Sequence, residues 1–311
     1  MDTDFLDWAL AEFSGYVAAE ELYDGPFCIL SAVDNRCSKR ILYDVLDHDP
    51  THDDIRAFLQ RLQTAVSARD LTRVGLTTDG SALSPAPLAE LFSGVPHQIC
   101  TFHVLAEVVK AVLGAVARAR KSLAATQPTW PKGRPSTQAA QAAARKKKRL
   151  AQQRAALFSS RYLFVQRHLN KTERKTLWRV SRGLPQLQAL RAIMEQVYAL
   201  FDRRCRTQTA LAKLAQLRRR LWRFPQLGDT RKKLFSPTLE KALTFLDEKL
   251  LPSTSHAVER GNRRYRTMQK HVYRVRPQMQ ISARLARDMW REAQAEGRQQ
   301  TLASLHNARA G

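Results

Sequence analysis

GYVAAEELYDGPFCILSAVD, residues 15–34, decides the architecture. It divides at Asp24-Gly25-Pro26 into two runs rich in strand formers, and so short a turn makes them an antiparallel hairpin. Working outward, RILYDVL at 40–46 has the same character and gives a third strand. Asp49-Pro50-Thr51 then opens a helix over 51–70, with Ile55, Phe58, Leu59, Leu62 and Val66 on one face and acidic residues in its first turn. TRVGLTT at 72–78 is a fourth strand, ending at Asp79-Gly80. Pro85 or Pro87 starts a short helix through Leu88 and Phe92, and HQICTF at 97–102 reads as a fifth strand. Three meandering strands followed by alternating helices and strands define an α/β layout with a mixed five-stranded sheet.

From His103 the pattern turns helical. VLAEVVKAVLGAVARARKSLAA is amphipathic, and QPTWPKGRPST at 127–137 holds three prolines and a glycine, the composition of a loop or link. QAAQAAARKKKRLAQQRAALF follows as a strong helix former. Further helices are expected at about 171–181, 184–204, 206–223 and 236–250, then one through Glu259 and a last one at about 277–300. No internal repeat is evident. The division expected is 1–103 as the first part of an α/β core, 104–250 as an all-helical basic insertion between the fifth strand and the Glu259 helix, and 251–311 as the C-terminal helices of the core.

A chain of 311 residues with 44% hydrophobic residues can build a full core. Its net charge of +24 points to a polyanionic partner, nucleic acid ahead of a membrane surface. The charge is unevenly spread: residues 1–103 carry 16 acidic and 7 basic side chains, and the remainder carries a net +33. Metal belongs in the acidic front and phosphates on the basic back. Cys28, Cys37, Cys100 and Cys205 form no C-x-x-C, which fits a reducing compartment. No apolar run approaches the roughly 18 residues of a spanning helix, and MDTDFLDW has no signal pattern. The expectation is a cytoplasmic or nucleoid-associated protein with no membrane partner.

Carboxylates in three places suit one site. Ligands of open α/β sheets collect beyond the carboxyl ends of the strands, where Asp79 ends the fourth strand with Gly80 leaving it sterically free. Glu20 and Glu21 of the first strand point to opposite faces, so one of them shares Asp79's side. Glu259 lies in LPSTSHAVERGNRRYR, residues 251–266, where Pro252 closes the preceding segment, Ser253, Thr254 and Ser255 offer N-cap oxygens, and a helix runs from His256. Asn262 and Arg263, three and four residues on, fall on Glu259's face. By itself the stretch reads as a capped surface helix with an ordinary Glu to Arg pair. With the upstream acids, three carboxylates suit two-metal phosphoryl transfer with Mg²⁺ or Mn²⁺, two ions roughly 3.5–4 Å apart activating the attacking oxygen and stabilising the leaving one. Arg260, Arg263 and Arg264 suit the flanking phosphates.

The leading hairpin, TTDG at 77–80, the C-x-x-H of Cys100 to His103, the helical insertion and S-x-A-V-E-R-x-N-R around Glu259 together resemble the DDE transposases of bacterial insertion sequences. The branch they resemble is the Mutator-like one, in which a helical insertion separates the second and third catalytic acids. The resemblance covers about residues 10–290. It implies an RNase H-like core, Glu20, Asp79 and Glu259 as catalytic metal ligands, Cys100 and His103 as structural neighbours of the site, and double-stranded DNA as partner, worked on by a homodimer or larger assembly. It implies DNA strand cleavage and strand transfer during transposition. The departure is at the first acid, where the family has Asp and this chain has Glu20; the added methylene moves the carboxylate by roughly 1 Å against a metal of strict octahedral geometry. Asp24 and Asp34 are the fallback positions. A second departure is the lack of an N-terminal end-reading segment. The alternative is a truncated or catalytically dead transposase-derived DNA-binding protein, and a third reading is an RNA-binding helical protein without a mixed sheet.

Other features have plainer readings beside the functional one. Cys100 and His103 without a second pair read as a buried cysteine with a hydrogen-bonded histidine rather than half a zinc site. His256 and His271 read as surface or capping residues. The run Arg145, Lys146, Lys147, Lys148 and Arg149 is a solvated face or a track for phosphates. Trp178 and Trp222, each beside arginines, read as core ahead of platforms for an unpaired base. Tyr265 and Tyr273 are not needed as nucleophiles.

Overall fold

A computed structural model describes residues 3–126, 137–271 and 277–295 and, beyond them, residue 307. The hairpin forms from β1 (Tyr16–Asp24) and β2 (Phe27–Asp34), with Asp24 opposite Phe27 across a two-residue turn. Gly25 takes a φ of 65° there, which Pro26 could not supply, so Gly-Pro is the order the turn requires. β3 (Arg40–Leu46) pairs antiparallel with β2, while β4 (Gly75–Thr78) lies parallel against β1 and β5 (His97–Ile99) parallel against β4. The sheet order is β3-β2-β1-β4-β5, with β1 in the centre. The architecture is α/β with a mixed five-stranded sheet.

Between strands run α2 (His52–Ser67), opened by a capping box of Thr51 and Asp54, and α3 (Pro85–Leu91). Ile55, Phe58, Leu59, Leu62 and Val66 of α2 pack with Leu30, Ala32 and Leu76 of the sheet. The opposite face is covered by α11 (His256–His271) and α12 (Gln278–Gln294): Ala257 and Val258 meet Ala18 and Val33, and Tyr265, Ile281 and Leu285 meet Leu22, Ile29 and Val45. Buried Arg40 of β3 ties α12 down, contacting Asp288 at 2.8 Å and Glu292 at 2.7 Å.

Two compact units are distinguished, residues 1–103 with 247–311, and residues 104–246. The boundary falls inside α4 (Thr101–Ala125). The second unit is helical, with α5 (Gln138–Ser159), α6 (Lys171–Ser181), α7 (Pro185–Leu200), α8 (Thr207–Leu221), α9 (Gly228–Leu234) and α10 (Pro237–Lys241). Its core is built on regular apolar stripes: Leu187, Leu190, Met194 and Val197 of α7, and Ala210, Leu214, Leu217 and Leu221 of α8. Among the described residues no helix is long and apolar enough to cross a membrane.

Several sequence expectations are corrected. Thr101 and Phe102 open α4 rather than ending a strand; Cys100 N–H donates to Thr78 O at 2.7 Å, and beyond Thr78 the neighbouring strand offers no further partner. The helix expected over 236–250 stops at Lys241 and continues as a 3-10 turn, Thr244–Leu246, with the Leu243 carbonyl taken by the Thr207 hydroxyl at 3.1 Å. Leu239, Ala242, Leu243, Phe245 and Leu246 are all buried. An unforeseen helix, α1 (Thr3–Leu10), buries Phe5 and Ala9 beside Met289. Trp178 and Trp222 are exposed, at 61% and 63%, each with an arginine over its ring. The link at 127–136, Tyr273, the side chain of His271 and the end of the last helix at 296–300 lie outside the described residues.

Gly75 is where the strap before α11 meets the sheet: a Cβ there would sit 2.5 Å from Leu251 Cδ1 and 3.0 Å from Tyr16 Cδ1. Gly75→Ala is therefore expected to destabilise the protein by about 1–3 kcal/mol, measured as a lowered urea midpoint with an unchanged slope. An unchanged midpoint would show that Leu251 does not approach β4.

Candidate functional site

Alternation along β1 sends Ala18, Glu20, Leu22 and Asp24 to the α11 face and Glu21 to the face covered by α2. The register pairs Ala19 with Thr78, so Glu20, midway along β1, and Asp79, just past the carboxyl end of β4, follow next in line on two parallel strands. Gly80, at φ 92°, turns the chain away directly after Asp79, whose Oδ1 accepts the Ser81 N–H at 2.9 Å. At the end of the next strand, Cys100 precedes the first turn of α4 and His103 lies within it.

Residues 252–255 strap these ends together. Thr77 Oγ1 donates to Pro252 O at 3.2 Å, Thr101 N–H to Ser253 O at 2.9 Å, and Asn35 Nδ2 to Thr254 O at 3.0 Å. Ser255 closes the arrangement, its N–H donating to Cys100 Sγ at 3.5 Å and its hydroxyl to Glu20 Oε1. From α11, Asn262 Nδ2 donates to Glu20 Oε2 at 3.4 Å. His103 Nδ1 lies 3.9 Å from Glu20 Oε1, buried and without a hydrogen-bond partner.

Burial pushes the Glu20 carboxyl up to about 7; the Ser255 hydroxyl and the nearby His103 pull it back, while Cys100 and Asp79 add to the rise. Burial also works to raise the Cys100 thiol, but the interactions with His103 and Ser255 overcome it and hold the thiol down at about 7. The Cys100 sulfur is the main cause of the rise of His103 to about 9, against desolvation and aided by Glu20 and Asp79. Near neutrality this is an imidazolium beside a thiol and a carboxyl that are each about half ionised.

The candidate residues are only partly gathered. Glu20, Asp79, Cys100 and His103 form one cluster. Glu259 is half-buried on α11, one turn beyond Ser255, and its carboxylate pairs with Arg266 at 3.5 Å. The stripe expected after Glu259 divides, because helical rotation turns Asn262 inward onto Glu20 and leaves Arg263 exposed. Of the two roles expected for Asn262, orienting DNA or a carboxylate, its contact is with the carboxylate. Arg264 is held by Asp288 at 2.9 Å and Glu292 at 3.4 Å, Arg260 is exposed and donates to the Ser38 hydroxyl, and Arg145, Lys146, Lys147 and Lys148 are all exposed on α5. His256 is exposed, as a surface histidine should be.

The fallback acids have structural partners. Asp34 accepts from Ser14 N–H and hydroxyl and from the N–H groups of Arg36 and Cys37, and Asp24 accepts from Tyr265 and Gln269. Ser255 is the site residue whose role the sequence did not show: it stands there as a candidate N-cap and as the first position of S-x-A-V-E-R-x-N-R, with nothing to pair it with Glu20.

No family model matches the chain, and neither a curated protein nor a solved structure does.

The donor atoms of Glu20, Cys100 and His103 all lie within 4.8 Å of one another, so the group could hold a metal ion. The donors are of two kinds. Carboxylate oxygens of Glu20 and Asp79 suit a hard ion, whereas a thiolate and an imidazole suit a softer one.

Glu20 also governs pH dependence. Its carboxyl binds a proton more tightly in the folded state, so this contribution to stability is full below pH 4.5 and lost as pH rises through about 7. In chelator-treated protein, Glu20→Gln should remove a decline on the order of 3 kcal/mol between these limits. Urea unfolding at several pH values tests it; parallel curves for variant and wild type would refute the assignment, with Cys100 and His103 as the other titrating neighbours.

Proposed function

We propose that the chain is a metal-dependent DNA-cleaving and strand-transferring enzyme of the DDE transposase type, built on an RNase H-like core. The observation that carries this reading is the adjacency of Glu20, midway along β1, and Asp79, just past the end of the parallel strand β4, with the helix bearing Glu259 packed across the face that Glu20 occupies. Glu20, Asp79 and Glu259 would hold two Mg²⁺ or Mn²⁺ ions. Such ions activate an attacking water or DNA 3′-OH and neutralise the leaving oxygen.

The chain's own part is to position acids and phosphates. Ser255 and Asn262 fix both oxygens of Glu20. Arg260, Arg263 and Arg266 are exposed beside it on α11 and suit a phosphate backbone. The exposed pair between Glu259 and Arg266 is weak enough for a phosphate to take the arginine and leave the carboxylate free. On α5, Arg145 to Lys148 form a cationic face suited to counterion release on double-stranded DNA. An assembly of two or more copies on DNA in the nucleoid belongs to the same proposal.

A second reading, a DNA-binding protein of this descent without cleavage, is favoured by one observation: both Glu20 oxygens already have donors, and its carboxyl is half protonated near pH 7.

Nicking of supercoiled plasmid in Mg²⁺ separates the two. Asp79→Asn and Glu259→Gln should each abolish nicking while leaving salt-sensitive DNA binding intact, and Glu20→Asp should raise activity if the longer side chain is what limits it. Nicking retained in both of the first two variants refutes the site, and no nicking by wild-type protein selects the second reading. Neutralising Arg145, Lys146, Lys147 and Lys148 should lower the slope of log affinity against log salt by roughly 0.9 for each phosphate no longer neutralised. An unchanged slope removes α5 from the interface.

A further inference from the structure

The half of the cluster that two-metal chemistry leaves unused is Cys100 with His103. Their spacing at the start of α4 puts sulfur and imidazole on one side of the first turn, facing Glu20 on β1. Tetrahedral zinc, with bonds of about 2.0–2.3 Å, needs its donors about 3.4–3.8 Å apart. The donor atoms already lie within 4.8 Å of one another, and the gap between His103 Nδ1 and Glu20 Oε1 is 3.9 Å. That gap is too long for a hydrogen bond and a few tenths of an ångström beyond the separation two ligands of one ion would have.

The surroundings are those of a metal site. Metal ligands are commonly held by a second layer of hydrogen bonds that fixes their orientation. Here the Ser255 N–H donates to Cys100 Sγ at 3.5 Å, and Asn262 Nδ2 and the Ser255 hydroxyl donate to the two Glu20 oxygens. His103 Nδ1 is buried with no partner although its ring edge reaches solvent. A thiolate and a carboxylate neutralise a divalent ion in a place where a bare charge would be costly, and Mg²⁺ gains little from sulfur.

We infer that Glu20, Cys100 and His103 bind one thiophilic divalent ion of the zinc type, through three protein ligands and an open fourth position. This site shares Glu20 with the DNA reading but is tested separately from it, because it is measured with no nucleic acid present.

Co²⁺ serves as the spectroscopic probe. Reduced, chelator-stripped full chain titrated with Co²⁺ should develop a near-ultraviolet sulfur-to-cobalt charge-transfer band at one equivalent, bleached by Zn²⁺ and unaffected by excess Mg²⁺. Cys100→Ser should abolish the band, and Cys37→Ser, which removes the exposed thiol, should leave it. His103→Gln and Glu20→Gln, with unchanged circular dichroism, should each weaken Co²⁺ binding by at least about tenfold. The inference is overturned by absence of the band in wild-type protein, or by a band that survives Cys100→Ser. If Cys100→Ser does not fold, unchanged Co²⁺ affinity in both other variants overturns it equally. Loss of Mg²⁺-dependent nicking would leave these outcomes untouched, and their failure would leave nicking untouched.

Discussion

An acid buried in the central strand is the constraint around which the first unit is arranged. Glu20 lies between Ala18 and Leu22 on its face of β1, both fully covered, and an ionised carboxylate in such a place is costly unless donors meet it. The donors come from more than 230 residues further along the chain, from Ser255 and Asn262. The apolar seam between α11 and the sheet runs from Ala257 and Val258 against Ala18 and Val33 to Tyr265 against Leu22 and Ile29, with small side chains at its start that leave the helix close to Glu20. The hydroxyl and amide that reach Glu20 add to that seam, and Gly75 leaves room for Leu251 to bring the strap close.

The sheet could be read in the sequence because each strand carried its own local evidence: Gly25-Pro26 for the hairpin turn, the stripe of Ile55, Phe58, Leu59, Leu62 and Val66 for the covering helix, and Asp79-Gly80 for the end of β4. Where local evidence was ambiguous, tertiary context decided. Leu239 to Leu246 is apolar enough for a helix, yet the chain divides into a helix and a 3-10 turn, with the Leu243 carbonyl taken by the Thr207 hydroxyl. Trp178 and Trp222 occupy helical spacings typical of core, and still their helices bury leucines and leave the rings outside.

The site was legible to the same degree and for the same reason. Strand alternation required that one of Glu20 and Glu21 share the side of Asp79, while the choice between them depends on which face α11 covers, which no local pattern encodes. Glu259 was visible as an isolated carboxylate among cations, but its ion partner is Arg266, two turns along, where helical rotation returns nearly to the same direction. Arg263, one turn along, points further from the sheet. Ser255 could be seen as a cap, not as the donor to an acid on a strand far away in sequence.

The cluster asks two chemistries of one carboxylate. Asp79 and the proposed third ligand Glu259 are hard oxygen donors suited to Mg²⁺, Cys100 and His103 are softer donors suited to a zinc-type ion, and Glu20 adjoins both sets. Ser255 and Asn262 hold its two oxygens in place, and the pairing of Cys100 with His103 leaves a half-ionised sulfur on one side of it. A zinc-type ion drawing Glu20 toward Cys100 takes an oxygen from the side of Asp79, and a hard ion beside Asp79 does the reverse. The length of glutamate matters here. An aspartate at position 20, one methylene shorter, reaches less far from β1 and weakens the link to the sulfur side first, so the residue that departs from the transposase pattern is the one that joins the two halves of the pocket.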